Sequence, residues 1–219
     1  MNRRIFAILL PIFLTGMMVA AAPPRDPTLR AELLRMVRAD QEVRAKITAD
    51  PHLLAGPTTT DRNAIALIQQ GMAIDRRNTA RMAQIVAKHG WPGKSLVGED
   101  GSEAAFLLVQ HADQAKAFQK RCLPLLKTAA DRGEARKKDW AYLTDRVLLG
   151  EGKPQIYGTG FQPNANGELV PLPIYDEANV DARRKSVGLP PLAEYKRMLE
   201  KAYPKPAGGA GDTTKEPKP

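Results

Sequence analysis

The chain has 219 residues, a formal net charge of +9 and only 5% aromatic residues. Its Lys and Arg side chains are interspersed with Asp and Glu instead of forming a basic stripe, and stacking rings are scarce, so nucleic-acid binding is disfavoured. Cys122 is the single cysteine, which excludes an intramolecular disulfide and leaves stability to packing.

The N-terminus comes first in chain order. Arg3 and Arg4 precede an uncharged run from Ile5 to Ala22 that ends in small residues, the pattern of a secretory signal peptide over 1–21. Cleavage after Ala21 avoids leaving Pro23 at the new terminus. The run of about 18 residues is only just long enough to span a bilayer, and Pro11 and Gly16 weaken it as a permanent helix, so no membrane anchor is expected. The remaining chain of about 200 residues is then extracytoplasmic, periplasmic or secreted, and fits a single domain at 22–204. The last stretch, 205–219, is rich in Gly, Pro and Lys and has no large apolar residue, which predicts a disordered tail.

Asp26 and Pro27 read as an N-cap followed by a first-turn proline. Leu29, Leu33, Met36, Val43 and Ile47 then recur at helical spacing until Pro51 and "AGPTTTD". A second helix is predicted from near Asp61 to Gly90 and Pro92, with Ile65, Ile68, Met72, Met82 and Val86 on its stripe. "GWPGKSLVGEDGS" reads as a loop that docks Trp91 on the core, and a third helix starts near Ser102. A fourth runs through Phe118, Cys122 and Leu126, with Asp113 as a candidate cap and Pro124 as a bend. A fifth covers "KKDWAYLTDRVLLG" and closes at Gly150. "PQIYGTGFQPNANGELVPLPIYD", 154–176, offers a small β-hairpin or an irregular extended segment around Asn166-Gly167. Short helices near Val180 to Ser186 and Pro191 to Tyr203 follow. The predicted fold is mainly α, a single-domain helical bundle.

Polar residues interrupt the apolar stripes at three places. Asp40 falls on the face of 29, 33, 36, 43 and 47; Asp75 falls on that of 65, 68, 72 and 82; His111 continues the face of Ala104 and Leu107, reaching Ala115 and Phe118 if the helices run on. Burying a charge without partners costs several kcal/mol, roughly, so these groups should meet one another or a cation. The arrangement reads either as an internal polar network or as a cleft where His111, oriented by Asp40 or Asp75, acts as acid or base and Arg183 or Arg184 holds an anion. A metal site is disfavoured, because no HxH, HxxxH or HExxH spacing occurs among three histidines. Without a GxSxG, SxxK, P-loop or dinucleotide fingerprint, no cofactor is expected. His89, at a helix end, reads as a cap; His52 as exposed; Cys122 as a small buried residue; and Asp145 with Arg146 as a solvated or salt-bridged face.

Eight motifs occur in order: "DQEVR" (Asp40–Arg44), "DRRNT" (Asp75–Thr79), "HGWPG" (His89–Gly93), "LLVQHAD" (Leu107–Asp113), "AYLTDRV" (Ala141–Val147), "PQIYGTG" (Pro154–Gly160), "NVDARR" (Asn179–Arg184) and "GLPPLAEY" (Gly188–Tyr195). As a set they resemble the bacterial domain-of-unknown-function family 6624, across nearly the whole chain after the leader. The resemblance implies no activity, since that family is uncharacterised. It does point to the polar positions Gln41, Asn78, Gln110, Gln155, Tyr157, Asn179, Asp181, Arg183 and Arg184 as candidate ligand contacts, alongside Asp40, Asp75 and His111, and it draws attention to Asp145 and Arg146 as well. Gly160 departs from the pattern, in which glutamine usually follows the Tyr-Gly-Thr motif. Two functions are expected from these residues: a module binding a small polar ligand or envelope component, or a hydrolase-type enzyme using His111 with an aspartate. Nothing in the sequence fixes an oligomeric state.

Overall fold

The computed structural model describes residues 22–49, 61–164 and 166–202. The expected signal peptide at 1–21, His52 with most of its loop, and the tail at 205–219 lie outside them. Among the described residues the chain forms seven α-helices and one two-stranded antiparallel sheet, so the fold is the mainly α single domain expected.

Helix α1 spans Pro27–Ala49. Its start is fixed by Asp26, whose side chain accepts from the Leu29 N–H at 2.8 Å. Leu29, Leu33, Asp40 and Val43 are buried, on the face the spacing predicted. Helix α2, Arg62–His89, is capped by Asp61, which accepts from the backbone N–H groups of Asn63 and Ala64. Here the predicted stripe is displaced. The buried positions are Ala64, Gly71, Ile74, Asn78, Met82 and Ile85, while Ile65 and Met72 are about two-fifths exposed at 38% and 40%. Close approach of α1 is the reason: a Cβ on Gly71 would lie 3.3 Å from Ile47 Cδ1, so small residues, not the largest apolar ones, face the neighbour.

Helix α3, Lys94–Gln110, begins earlier than predicted. A short helical turn occupies the expected loop, and Gly98 at φ 77°, ψ 170° kinks the chain into the main run, a backbone conformation open to glycine at little cost. Gly101, Ser102, Ala104, Ala105, Phe106, Leu108 and Val109 are buried, which is burial on nearly every side. That follows from its place between α1, α2 and two further helices, α4 (Lys116–Asp131) and α5 (Lys137–Gly150). His111 closes α3, and a 3-10 turn at Asp113–Ala115 separates it from α4, so the predicted continuous face through Phe118 is broken. Asp113 makes no cap; it pairs with Arg146 at 2.6 Å.

Phe118, Cys122 and Leu126 of α4 and Leu143 of α5 complete the main core with Leu33, Met82, Ile85, Trp91 and Leu108. Full burial of each large aliphatic side chain stabilises the fold by about 1.5–3 kcal/mol. The left-handed turn that closes α5 comes at Gly152, φ 72°, two residues after the glycine expected to make it.

The hairpin pairs β1 (Phe161–Pro163) with β2 (Leu169–Pro171) in the register Phe161 to Pro171. Helices α6 (Val180–Ser186) and α7 (Leu192–Ala202) finish the described chain. This C-terminal layer rests on α5 through a small second core of Ala141, Tyr157, Val187 and Leu189.

Candidate functional site

Three polar groupings are built on this frame. The first joins α1, α2 and the end of α3. Asp40 is fully buried and accepts from Gln41 Nε2 at 2.9 Å, Arg44 Nε at 3.0 Å and His111 Nδ1 at 2.8 Å. Arg44, one turn along α1, also donates through Nη2 to Asp75 at 2.7 Å. One guanidinium therefore bridges the two carboxylates that the helical spacing had brought to attention. Burial pushes the Asp40 carboxyl upward, but the hydrogen bond and charge of His111, with Arg44 and Gln41, hold it below its ordinary 3.8. Burial and the nearby Asp40 charge leave Asp75 above that value despite Arg44. An ionised Asp40 can only accept, so Nδ1 carries the proton of the shared bond and Nε2 is the nitrogen left outside it. The His111 ring keeps 14% exposure, enough for contact with solvent. With Arg44 set between the aspartates, the place where a bridging metal would sit holds an organic cation instead.

A second grouping lies between α5 and the C-terminal layer. Asp145 is fully buried and accepts from the N–H groups of Ile156, Tyr157 and Thr159 and from Thr159 Oγ1, all within 3.2 Å. Gln155, also fully buried, clasps Gly160 from both ends: Nε2 donates to the Gly160 and Leu172 carbonyls, and Oε1 accepts from the Gly160 N–H. Arg184 is enclosed above the same loop. Its Nη1 donates to the carbonyls of Tyr157 and Gly158, its Nε to Pro190, and its guanidinium lies 4.8 Å from the Tyr195 ring centroid. Arg183 donates to the carbonyls of Ile156, Tyr175 and Asp176, Asn179 to the Asp176 carboxylate, and Asp181 accepts from the first N–H of α7. Of the residues read from sequence as candidate ligand contacts, Gln155, Asp181, Arg183 and Arg184 thus hold backbone, Asn179 holds the Asp176 side chain, and Arg184 Nη2 is buried with no partner among the described residues. Neither arginine reaches Asp40, Asp75 or His111; Arg44 has that role.

The third grouping is a cleft of about 520 Å³ between the end of α3, α4, α5 and the 159–160 segment. Gln110, Lys116, Lys120, Tyr142, Arg146, Thr159 and Tyr195 line it, and the Gln110 side chain has a buried Oε1 without a partner among the described residues. Lys120 and Arg146 are held by Glu151 and Asp113, at 2.6 Å each. His111 does not line this cleft.

The model of a family of unknown function (DUF6624) matches residues 27–206. The chain belongs to that family. No curated protein and no solved structure matches it.

In this DUF6624 member, the motif set therefore divides between groupings. "DQEVR", "DRRNT" and the His111 end of "LLVQHAD" converge on the first; "AYLTDRV", "PQIYGTG" and "NVDARR" build the second. Asn78, in α2, is buried with an Nδ2 that lacks a partner among the described residues. Tyr157 is buried and packs edge-on to Trp140 at 5.8 Å, so its ring belongs to the second core. Burial and the Asp145 charge raise its phenol above the usual tyrosine value. At Gly160, the departure from the family pattern, a Cβ would lie 2.6 Å from Leu149 Cδ1, so a side chain there requires the end of Leu149 to shift. Sequence reasoning missed Arg44, Lys116, Lys120, Tyr142 and Tyr195, and by spacing it placed Asp145, to which the resemblance drew attention, on a solvated or salt-bridged face instead of a buried one. The i, i+4 spacing of Asp40 and Arg44 was the one signal that could have found the bridging cation.

Proposed function

We propose that the protein is an exported domain that binds a small polar ligand in the cleft between α4, α5 and the 159–160 segment. The observation that carries this reading is the convergence in one cleft of Lys116, Lys120, Arg146, two tyrosines and an amide with an unpaired buried oxygen. Its size falls within the roughly 300–1,000 Å³ typical of small-molecule sites. Lys116, Lys120 and Arg146 outnumber Asp113 and Glu151 by one charge, which favours a ligand that is polar and weakly anionic. The rings of Tyr142 and Tyr195 supply apolar area for the remainder of the molecule.

A thermal-shift screen of the purified domain against sugars, nucleotides, peptides and metal ions tests it. A binder raises the melting temperature of the native protein, and Gln110→Leu removes that rise while keeping the unliganded melting temperature close to native. A hit that stabilises both proteins equally places the ligand elsewhere and rejects the cleft. Export rests on Arg3, Arg4 and the Ile5 to Ala22 run. Mass spectrometry of the protein made in a secreting host should find Ala22 at the start; an intact leader on the recovered protein would reject it.

A second reading is favoured by one observation, the 2.8 Å bond that orients His111 through Nδ1 on a buried carboxylate. In an acid–base enzyme this bond would fix the ring and stabilise its protonated form, with Nε2 exchanging the proton. If an activity is found, His111→Ala should abolish it with the fold intact; full activity in that variant removes this reading.

A further inference from the structure

Two clefts flank α4, of about 520 Å³ at its start and about 480 Å³ at its end. The first is the ligand cleft proposed above, and the bonds already made within its wall limit what a guest can be. The C-terminal layer contributes Thr159 and Gly160, whose polar groups are used internally. The Thr159 N–H and Oγ1 donate to Asp145, and the Thr159 carbonyl accepts from the Tyr195 hydroxyl at 3.5 Å. The Gly160 N–H donates to Gln155 Oε1, while its carbonyl accepts from Gln155 Nε2 and the Leu172 N–H. On that side a guest meets shape and apolar area, with no backbone donor to spare.

The three lining cations are not equivalent. Arg146 is paired with Asp113 at 2.6 Å, and Lys120 with Glu151 at 2.6 Å, where Glu151 also accepts from Lys153 at 2.7 Å. Lys116 donates to a neutral acceptor, the Gly150 carbonyl, at 3.2 Å, and among the described residues no carboxylate lies within ion-pair distance of it. Its stem runs along Gly150: a Cβ there would lie 3.7 Å from Lys116 Cδ and 3.9 Å from Nζ. Both residues line the cleft and both are exposed, so the ammonium stands at the cleft wall, at the end of α5. An ammonium has three donors, and the Gly150 carbonyl takes one of them. The surplus positive charge of the lining is therefore localised on Lys116, with donors left for a guest.

The cleft follows one face of α5, on which Tyr142, Arg146 and Gly150 recur at steps of four. At 1.5 Å per residue, Gly150 lies about 12 Å along the axis from Tyr142. Val147 and Leu149, both half-buried, line the length between. We propose, resting on the cleft reading above, that the ligand is an elongated monocarboxylate with a mainly apolar body. Its carboxylate is anchored by Lys116, its stem covers Val147 and Leu149, and its far end reaches Tyr142. A phosphomonoester, with about two charges at neutral pH, would meet Asp113 and Glu151 with one unpaired cation to hold it. A body rich in hydroxyls would find the 159–160 side without partners to offer.

The test is titration calorimetry on the protein recovered from a secreting host. The probes are 6-phenylhexanoate, N-acetyl-phenylalanylvaline and the primary amide of each. At least one acid should bind about tenfold or more tighter than its amide, the difference expected for a charge-assisted bond. A response to the dipeptide marks a peptide chain end as the source, and one confined to 6-phenylhexanoate marks a free acid. Lys116→Met should weaken the acid by about tenfold and erase its advantage over the amide, whereas Lys120→Met, which removes a paired cation, should cost about threefold or less. Ala117→Trp, at an exposed position in the lining, should block acid and amide alike. Binding that Ala117→Trp blocks and Lys116→Met leaves intact keeps the cleft and overturns this anchor; binding that Ala117→Trp leaves intact rejects both. No binding of either acid, no preference over the amides, or equal losses in Lys116→Met and Lys120→Met would also overturn the proposal, with the wider ligand screen left to judge the cleft.

Discussion

Arg44 holds two carboxylates at once, and the balance at this one residue sets much of the protein's response to acid. Replacing it by Met leaves Asp40 buried with two donors in place of three and should cost about 2 kcal/mol, read from the urea midpoint. Combined with Asp40→Asn, the loss should be smaller than the sum of the two, since they share one interaction. The aspartates have opposite signatures. Asp40 lies below its ordinary 3.8 in the fold, so its contribution is present above 3.8 and is lost as pH falls through the folded value. Asp75 lies above 3.8, so its contribution is complete below 3.8 and is lost as pH rises through its folded value. From about pH 3 to pH 7, native stability should therefore climb relative to Asp40→Asn and fall relative to Asp75→Asn, in urea titrations at each pH. Parallel curves would mean that neither carboxylate is perturbed as the packing requires. Asp40 was legible in the sequence, because a lone acid on an apolar stripe breaks a period. Arg44 was legible only through its i, i+4 spacing from Asp40, because its long side chain reaches inward from the flank of the stripe and leaves the period undisturbed.

Between elements, the decisive contact is the buried Asp145 carboxylate under the 156–159 loop. Asparagine there retains one acceptor oxygen and turns the other into a donor facing N–H groups. Asp145→Asn should cost about 3 kcal/mol, and hydrogen exchange should quicken across 154–176 and 180–202 before it does in α3. Gly158→Ala should have a similar regional effect for a different reason. Its φ of 65° disfavours any side chain, and the added Cβ would meet Leu192 Cδ1 at 2.9 Å. If exchange in α3 rises equally with either variant, the layer and the bundle unfold as one unit. The hairpin around Asn166-Gly167 and the span of α6 could be read from local turn and helix signals. Asp145 could not, since its partners are backbone donors of a distant loop, and no residue type announces those. The stripe of α2 failed for a related reason: Ala64 and Gly71 face α1 because they are small, which a hydrophobicity pattern counts against them.

For the molecule as a whole, α3 is the centre, and its near-continuous apolar run made the mainly α bundle legible from sequence. Cys122 in α4 packs against that centre. It is fully buried, and burial pushes its thiol up to about 12, so a thiol reagent should modify it only as fast as the domain opens. Labelling in the native state that outruns global unfolding would show a local opening of α4. The larger cleft also has a property of the whole. Gln110, Lys116 and Arg146 come from the bundle, whereas Thr159, Gly160 and Tyr195 come from the C-terminal layer. A guest touching both halves has to favour the docked arrangement over the undocked one. By thermodynamic reciprocity, the factor by which docking of the layer raises affinity in the cleft is the factor by which a filled cleft favours docking, so a filled cleft slows the layer's departure.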